Sequence, residues 1–135
     1  MPKVKGNITK NFTIEEYCVN QTETCEISTK SLAHARRLQM FRTEIKKPMQ
    51  VNAWYRTKKY NEKVGGISTS GHLTGEATDI GFGNLSDVTF AKYAKLWKRV
   101  CEKDGVVGEI GRYTWGVHLG SNITYSKKFT IFDKR

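Results

Sequence analysis

No apolar run in this sequence is long enough to span a bilayer, which excludes a membrane-crossing helix of the usual kind. The first residues, Met1-Pro2-Lys3-Val4-Lys5-Gly6, are charged and lead into no apolar core, so no secretory signal is read there. Cysteine is scarce and odd in number. Cys18, Cys25 and Cys101 contain no C-x-x-C pair, which excludes a zinc ribbon. Cys101 occupies an apolar helical position and reads as a buried thiol. Without an export signal, Cys18 and Cys25 are expected to stay reduced. Acidic residues are few: 13 Asp and Glu stand against 23 Lys and Arg, for a formal charge of +10. The basic residues are scattered in pairs such as Arg36-Arg37 and Lys127-Lys128, not gathered into a tail. They read first as a solvated basic surface, and beyond that as an attraction to polyanions such as an anionic cell wall. Nucleic acid ranks last among such partners, because no recognised binding motif accompanies the charge.

What is present suits one domain over residues 1–135, with a single modest core. Residues 11–17, N-F-T-I-E-E-Y, read as a capped helical turn in which Thr13 and Glu16 form a capping box and Phe12 and Tyr17 a hydrophobic staple. Residues 18–29 are polar and read as loop. A helix follows from Ser31, with Leu32, Ala35, Leu38, Phe41 and Ile45 on one apolar stripe, and Pro48 beyond its end. His34, Arg36 and Arg37 fall off that stripe and are expected at the surface. Residues 49–55 read as a strand, 57–63 as a helical or turn-like connector broken by Val64-Gly65-Gly66, and 68–75 as loop.

Residues 76–82 read as a second strand whose alternation puts Ala77, Asp79 and Gly81 on one face and Thr78, Ile80 and Phe82 on the other. Ser86 caps a second long helix with Phe90, Ala94, Trp97 and Cys101 as its stripe, stopped at Gly105. Strands are expected at 106–110 and 113–119, and a closing hairpin from 123–125 and 129–132 around Ser126-Lys127-Lys128. Helices and strands do not alternate strictly. The expected class is therefore α+β, a mostly antiparallel sheet with helices packed on one face.

Histidine is also scarce, and two of the three histidines fall where chemistry is expected. His72 and Asp79 lie in S-G-H-L-T-G-E-A-T-D, a run of small residues whose glycines allow tight turns. An inward Asp79 is costly unless a metal or an arginine pairs it. His118 lies on the polar side of an apolar strand. Two imidazoles and a carboxylate make a three-ligand zinc set with one position left for water. Taken singly, each of the three also reads as an ordinary hydrogen-bonded or surface residue.

The residues carry a resemblance. Ser70, His72, Gly75, Ala77 and Asp79 fit the S-x-H-x-x-G-x-A-x-D signature of the D-alanyl-D-alanine carboxypeptidase family of zinc peptidases. That family includes phage endolysins and L-alanyl-D-glutamate endopeptidases, and the Hedgehog signalling domain shares its fold. Upstream, Tyr55, Arg56, Asn61, Val64, Gly65 and Gly66 are similar to the family's Y-R-S-x-x-x-N-x-x-V-G-G segment. Downstream, G-E-I-G-R-Y-T-W-G-V-H-L resembles the segment that delivers its last zinc histidine.

The resemblance implies His72, Asp79 and His118 as zinc ligands, with Arg56 anchoring a substrate carboxylate or polarising the scissile carbonyl. It implies that Ser70 steadies the ligand loop or touches substrate. A bound zinc ion lowers the pKa of a coordinated water from ~15.7 to near 7. The chain departs from the family at the usual positions of the general base, which hold Trp115, Gly116 and Gly120. Glu109 is then the candidate base, while Glu76 is expected to face solvent.

The implied function is a monomeric zinc metallopeptidase of endolysin type, with no nucleic-acid partner, that cuts an amide bond in the peptidoglycan stem peptide. It would be made in the cytoplasm and reach the wall by holin- or virion-type delivery. A zinc-binding module of the same fold with weak or absent turnover is the alternative.

Overall fold

A computed structural model describes residues 6–19, 25–67 and 70–135. The charged N-terminus and parts of the two expected loops at 18–29 and 68–75 lie outside the described residues. The elements in chain order are α1 (Ile14–Tyr17), α2 (Thr29–Ile45), β1 (Val51–Ala53), α3 (Lys58–Lys63), a 3-10 turn (Gly71–Thr74), β2 (Ala77–Ile80), α4 (Asp87–Lys103), β3 (Gly108–Tyr113), β4 (Gly116–Ser121) and β5 (Thr130–Asp133).

The five strands form one sheet in the order β1-β2-β4-β3-β5. Three of its pairings are antiparallel, and β5 joins β3 in parallel. Ile80, Ile110, Val117 and Leu119 are buried with Leu38 and Phe41 of α2 and Trp97 and Val100 of α4 in one core. This is the α+β arrangement expected, with the two long helices on one face of the sheet. No helix among the described residues is long and apolar enough to cross a membrane.

Local chemistry explains most element ends. Thr13 and Glu16 form the expected capping box on α1, and Phe12 and Tyr17 both lie edge-on to the Trp54 ring. Ser86 caps α4, and every position of its expected stripe is buried. The helix α2 begins at Thr29, ahead of the expected Ser31; Ser28 caps it and Ser31 is its N3 partner in a capping box.

Four expectations are corrected. The buried face of α2 carries His34 and Arg37, while Leu32 is exposed. Hydroxyls arriving from the sheet make this possible: His34 contacts Ser121 Oγ at 2.6 Å and Thr78 Oγ1 at 3.0 Å. Arg37 donates to the same Ser121 hydroxyl at 2.9 Å and to Asp104 at 2.7 Å. Buried polar groups are tolerated when so paired. Second, the expected strand at 113–119 is a hairpin, with Tyr113 opposite Gly116 across the turn Thr114-Trp115. Gly116 has φ of +148°, and a Cβ there would collide with the Ile80 carbonyl. Third, the closing hairpin is absent. Residues 123–125 form no strand, and β5 pairs with β3. Fourth, Cys18 and Cys25 are joined as a disulfide across seven positions, with Cα atoms 5.8 Å apart. Cys101 is a free buried thiol, as expected.

Candidate metal centre

The face of the sheet turned away from α2 and α4 carries the polar cluster. Asp79 on β2 is registered directly opposite His118 on β4. Residues so placed have neighbouring side chains on one face, and His118 Nδ1 lies 2.8 Å from Asp79 Oδ1. His72 arrives from the 3-10 turn, with Nε2 at 3.4 Å from the same Asp79 oxygen. The two imidazole rings stand 5.4 Å apart at 71°. One ligand atom from each of the three residues lies within 4.8 Å of the others, so the group could hold a metal ion.

The turn that delivers His72 is fixed from both ends. Ser70 Oγ accepts the His72 backbone N–H at 3.2 Å. Gly75 closes the turn at φ +73°, where a side chain would press on Tyr17 and Ser31. The Trp54 indole N–H donates to the Gly75 carbonyl at 2.9 Å, and the Arg56 N–H donates to the His72 carbonyl at 2.9 Å. His72 Nδ1 faces the Trp54 carbonyl at 2.5 Å. A carbonyl only accepts, so Nδ1 carries a proton, and Nε2 is the nitrogen that faces Asp79. A ring held this way is oriented as a metal ligand requires.

Burial alone would raise the Asp79 pKa, yet its bonds to His118 and His72 outweigh that and hold it well below the usual carboxylate range. Burial also works against a charged His118, but contacts with Asp79 and Glu109 prevail and push it up to about 9. Glu109 Oε2 lies 2.6 Å from His118 Nε2, and Oε1 accepts from the Tyr125 hydroxyl. Burial would raise the Glu109 pKa; the His118 and Tyr125 bonds outweigh it and lower it. The His118 ring therefore stands between two ionised carboxylates. Such a concentration of negative charge around neutral-capable imidazoles suits a divalent cation.

A cleft of about 310 Å³ opens beside Asp79, lined by Asn52, Tyr55, Arg56, Tyr60 and Trp115. Arg56 Nη1 reaches Asn61 Oδ1 at 3.4 Å, while its buried Nε has no partner among the described residues. Trp115 is stacked on Tyr113 at 4.5 Å and 20°.

The structure thus gathers His72, Asp79, His118 and Glu109 into one cluster. It places Arg56 on the neighbouring cleft and Ser70 under the ligand turn. Glu76 is corrected: it is buried, and accepts from Thr74 at 2.7 Å and Asn122 at 2.8 Å. The Trp54 carbonyl and Tyr125 did not emerge from the sequence. A main-chain acceptor leaves no residue-type signal, and Tyr125 lies on a segment expected to be a strand.

The fold and the His-Asp-His group define a small α+β protein with a side-chain group that could hold a metal ion, beside a cleft of about 310 Å³. A peptidase M15 family model matches residues 9–119, and the chain belongs to that family of D-alanyl-D-alanine carboxypeptidase- and endopeptidase-type zinc peptidases. No curated protein matches the chain.

Proposed function

We propose that the chain is a zinc-dependent peptidase that hydrolyses an amide bond in the peptidoglycan stem peptide, in a lytic role of endolysin type. The observation that carries the reading is the convergence of His72 Nε2 and His118 Nδ1 on Asp79 Oδ1, beside a cleft bearing Arg56. His72, Asp79 and His118 would hold the ion. When bound, zinc supplies Lewis acidity and a water acidic enough to attack an amide at neutral pH.

The chain's own residues do the rest. Trp54 fixes the His72 tautomer through its carbonyl. Arg56 offers fixed positive charge to a substrate carboxylate or to the scissile carbonyl. Tyr55, Tyr60 and Trp115 give the peptide an aromatic wall. The +10 charge draws the protein to an anionic wall. It acts as a monomer, delivered to the wall by a holin or within a virion.

Purified peptidoglycan incubated with the protein, with and without chelator, tests the reading. Release of stem-peptide fragments, read by mass and abolished by the chelator, is expected; the fragment masses also separate carboxypeptidase from endopeptidase cleavage. Zinc binding with no fragment released from a panel of muropeptides would instead identify a binding module of this fold. Release unaffected by the chelator would exclude the metal mechanism.

A further inference from the structure

Glu109 reaches the site from the strand beyond His118. Its register partner on β4 is Gly120, two residues after His118. A Cβ built on Gly120 would lie 2.6 Å from both Glu109 Cγ and Oε2. The glycine therefore leaves the space that the Glu109 side chain fills. From there Oε2 meets His118 Nε2 at 2.6 Å, and the Tyr125 hydroxyl holds the other carboxylate oxygen. The imidazole bridges the two acids: Nδ1 on the Asp79 side, Nε2 on the Glu109 side. Glu109 thus engages the nitrogen that turns away from the other two ligands.

We propose that Glu109 is a positioning residue for His118, accepting its Nε2–H so that Nδ1 is the metal donor, with Tyr125 holding the carboxylate in place. The inference rests on the metal reading of His72, Asp79 and His118 but not on turnover. A carboxylate on the outer nitrogen of a ligating histidine fixes tautomer and ring orientation and makes the imidazole a stronger donor. Trp54 does the same for His72 with a backbone carbonyl. The two histidines are then clamped from opposite ends of the site, one by main chain and one by Glu109.

The test is zinc affinity, measured by competition with a chromophoric chelator on the full chain, with circular dichroism as a check of fold. Glu109→Ala should bind zinc about 10–100-fold more weakly. Glu109→Gln, which keeps an acceptor oxygen, should lose less. Adding G120D to the Glu109→Ala chain, which returns a carboxylate to the vacated space, should recover most of the loss. Nitrogen-15 shifts of His118 should report a protonated Nε2 in the zinc-loaded wild type and lose that signature in Glu109→Ala.

Wild-type zinc affinity in Glu109→Ala, or a folded double variant as weak as Glu109→Ala alone, overturns the proposal. If Glu109→Ala does not fold, Glu109→Gln and Tyr125→Phe carry the test, and wild-type affinity and an unchanged His118 signature in both overturn it. A general-base role gives a different pattern: Glu109→Gln keeps full zinc affinity and loses about a hundredfold or more in turnover. Failure of the metal reading itself appears earlier, as a wild type that binds no zinc.

Discussion

Asp79 and Arg56 divide the charge of the site between them. Asp79 is kept ionised by the two histidines that share its Oδ1. Among the described residues Arg56 makes a long contact to Asn61, and it lines the cleft, where its charge can meet a substrate. Arg56→Ala should therefore leave zinc affinity unchanged and lower kcat/KM on muropeptides by about a hundredfold, the scale of losing one charge-stabilising donor. Arg56→Lys should recover only part, because a point charge does not reproduce the guanidinium fork. Loss of zinc in Arg56→Ala would instead make the arginine a structural partner of the ligand turn. At this scale the sequence disclosed the side chains that the fold gathers, since His72 and Asp79 sit in a glycine-punctuated run and His118 breaks an apolar strand. It did not disclose their orientation, which depends on the Trp54 carbonyl, on Glu109 across a strand register, and on Tyr125.

The two long helices show why some elements read cleanly and others do not. Every buried position of α4 is apolar or a thiol, so periodicity alone finds its face. The buried face of α2 includes Ser31, His34 and Arg37. The burial of His34 and Arg37 is permitted by Thr78, Ser121 and Asp104, which are distant in sequence and invisible to a helical pattern. His34 also lies between the Trp54 and Trp97 rings, at 6.0 and 5.8 Å. His34→Ala removes a packed ring, the partner of the Thr78 hydroxyl and one of two partners of the Ser121 hydroxyl, and should destabilise the fold by about 2–4 kcal/mol in chemical denaturation. A change under about 0.5 kcal/mol, the range of ordinary surface substitutions, would mean that α2 is anchored elsewhere. The strand at β5 falls where one is expected, but its parallel pairing with β3 escaped the sequence for a related reason. Its residues alternate as strand residues should, but nothing local in them specifies β3 as partner.

For the molecule as a whole, titration couples the core to the site. Burial, with Arg37 nearby, lowers the His34 pKa well below 6.5, so the unfolded chain binds a proton there more readily than the folded one. Stability is therefore lost as pH falls below about 6.5. His118 in the metal-free chain has the opposite shift, to about 9. Its contribution is complete below about 6.5 and is lost as pH rises through 9. The metal-free protein should thus be most stable near pH 6.5 in a series of Tm measurements. Zinc displaces the His118 proton, so the Tm gain on adding zinc should grow as pH rises toward 9. A gain that shrinks over that range would show that His118 is not a ligand. The +10 charge acts at the same scale: attachment to intact walls should weaken steeply with added salt, while cleavage of small neutral muropeptides should not.

Native mass spectrometry of the wild type and of His118→Ala, after dialysis against limiting zinc, tests the shared-ion claim most directly. One zinc per wild-type chain and none retained by the variant is the predicted result. A wild type without zinc, or a variant that keeps it fully, would contradict the assignment of His72, Asp79 and His118 to a common ion.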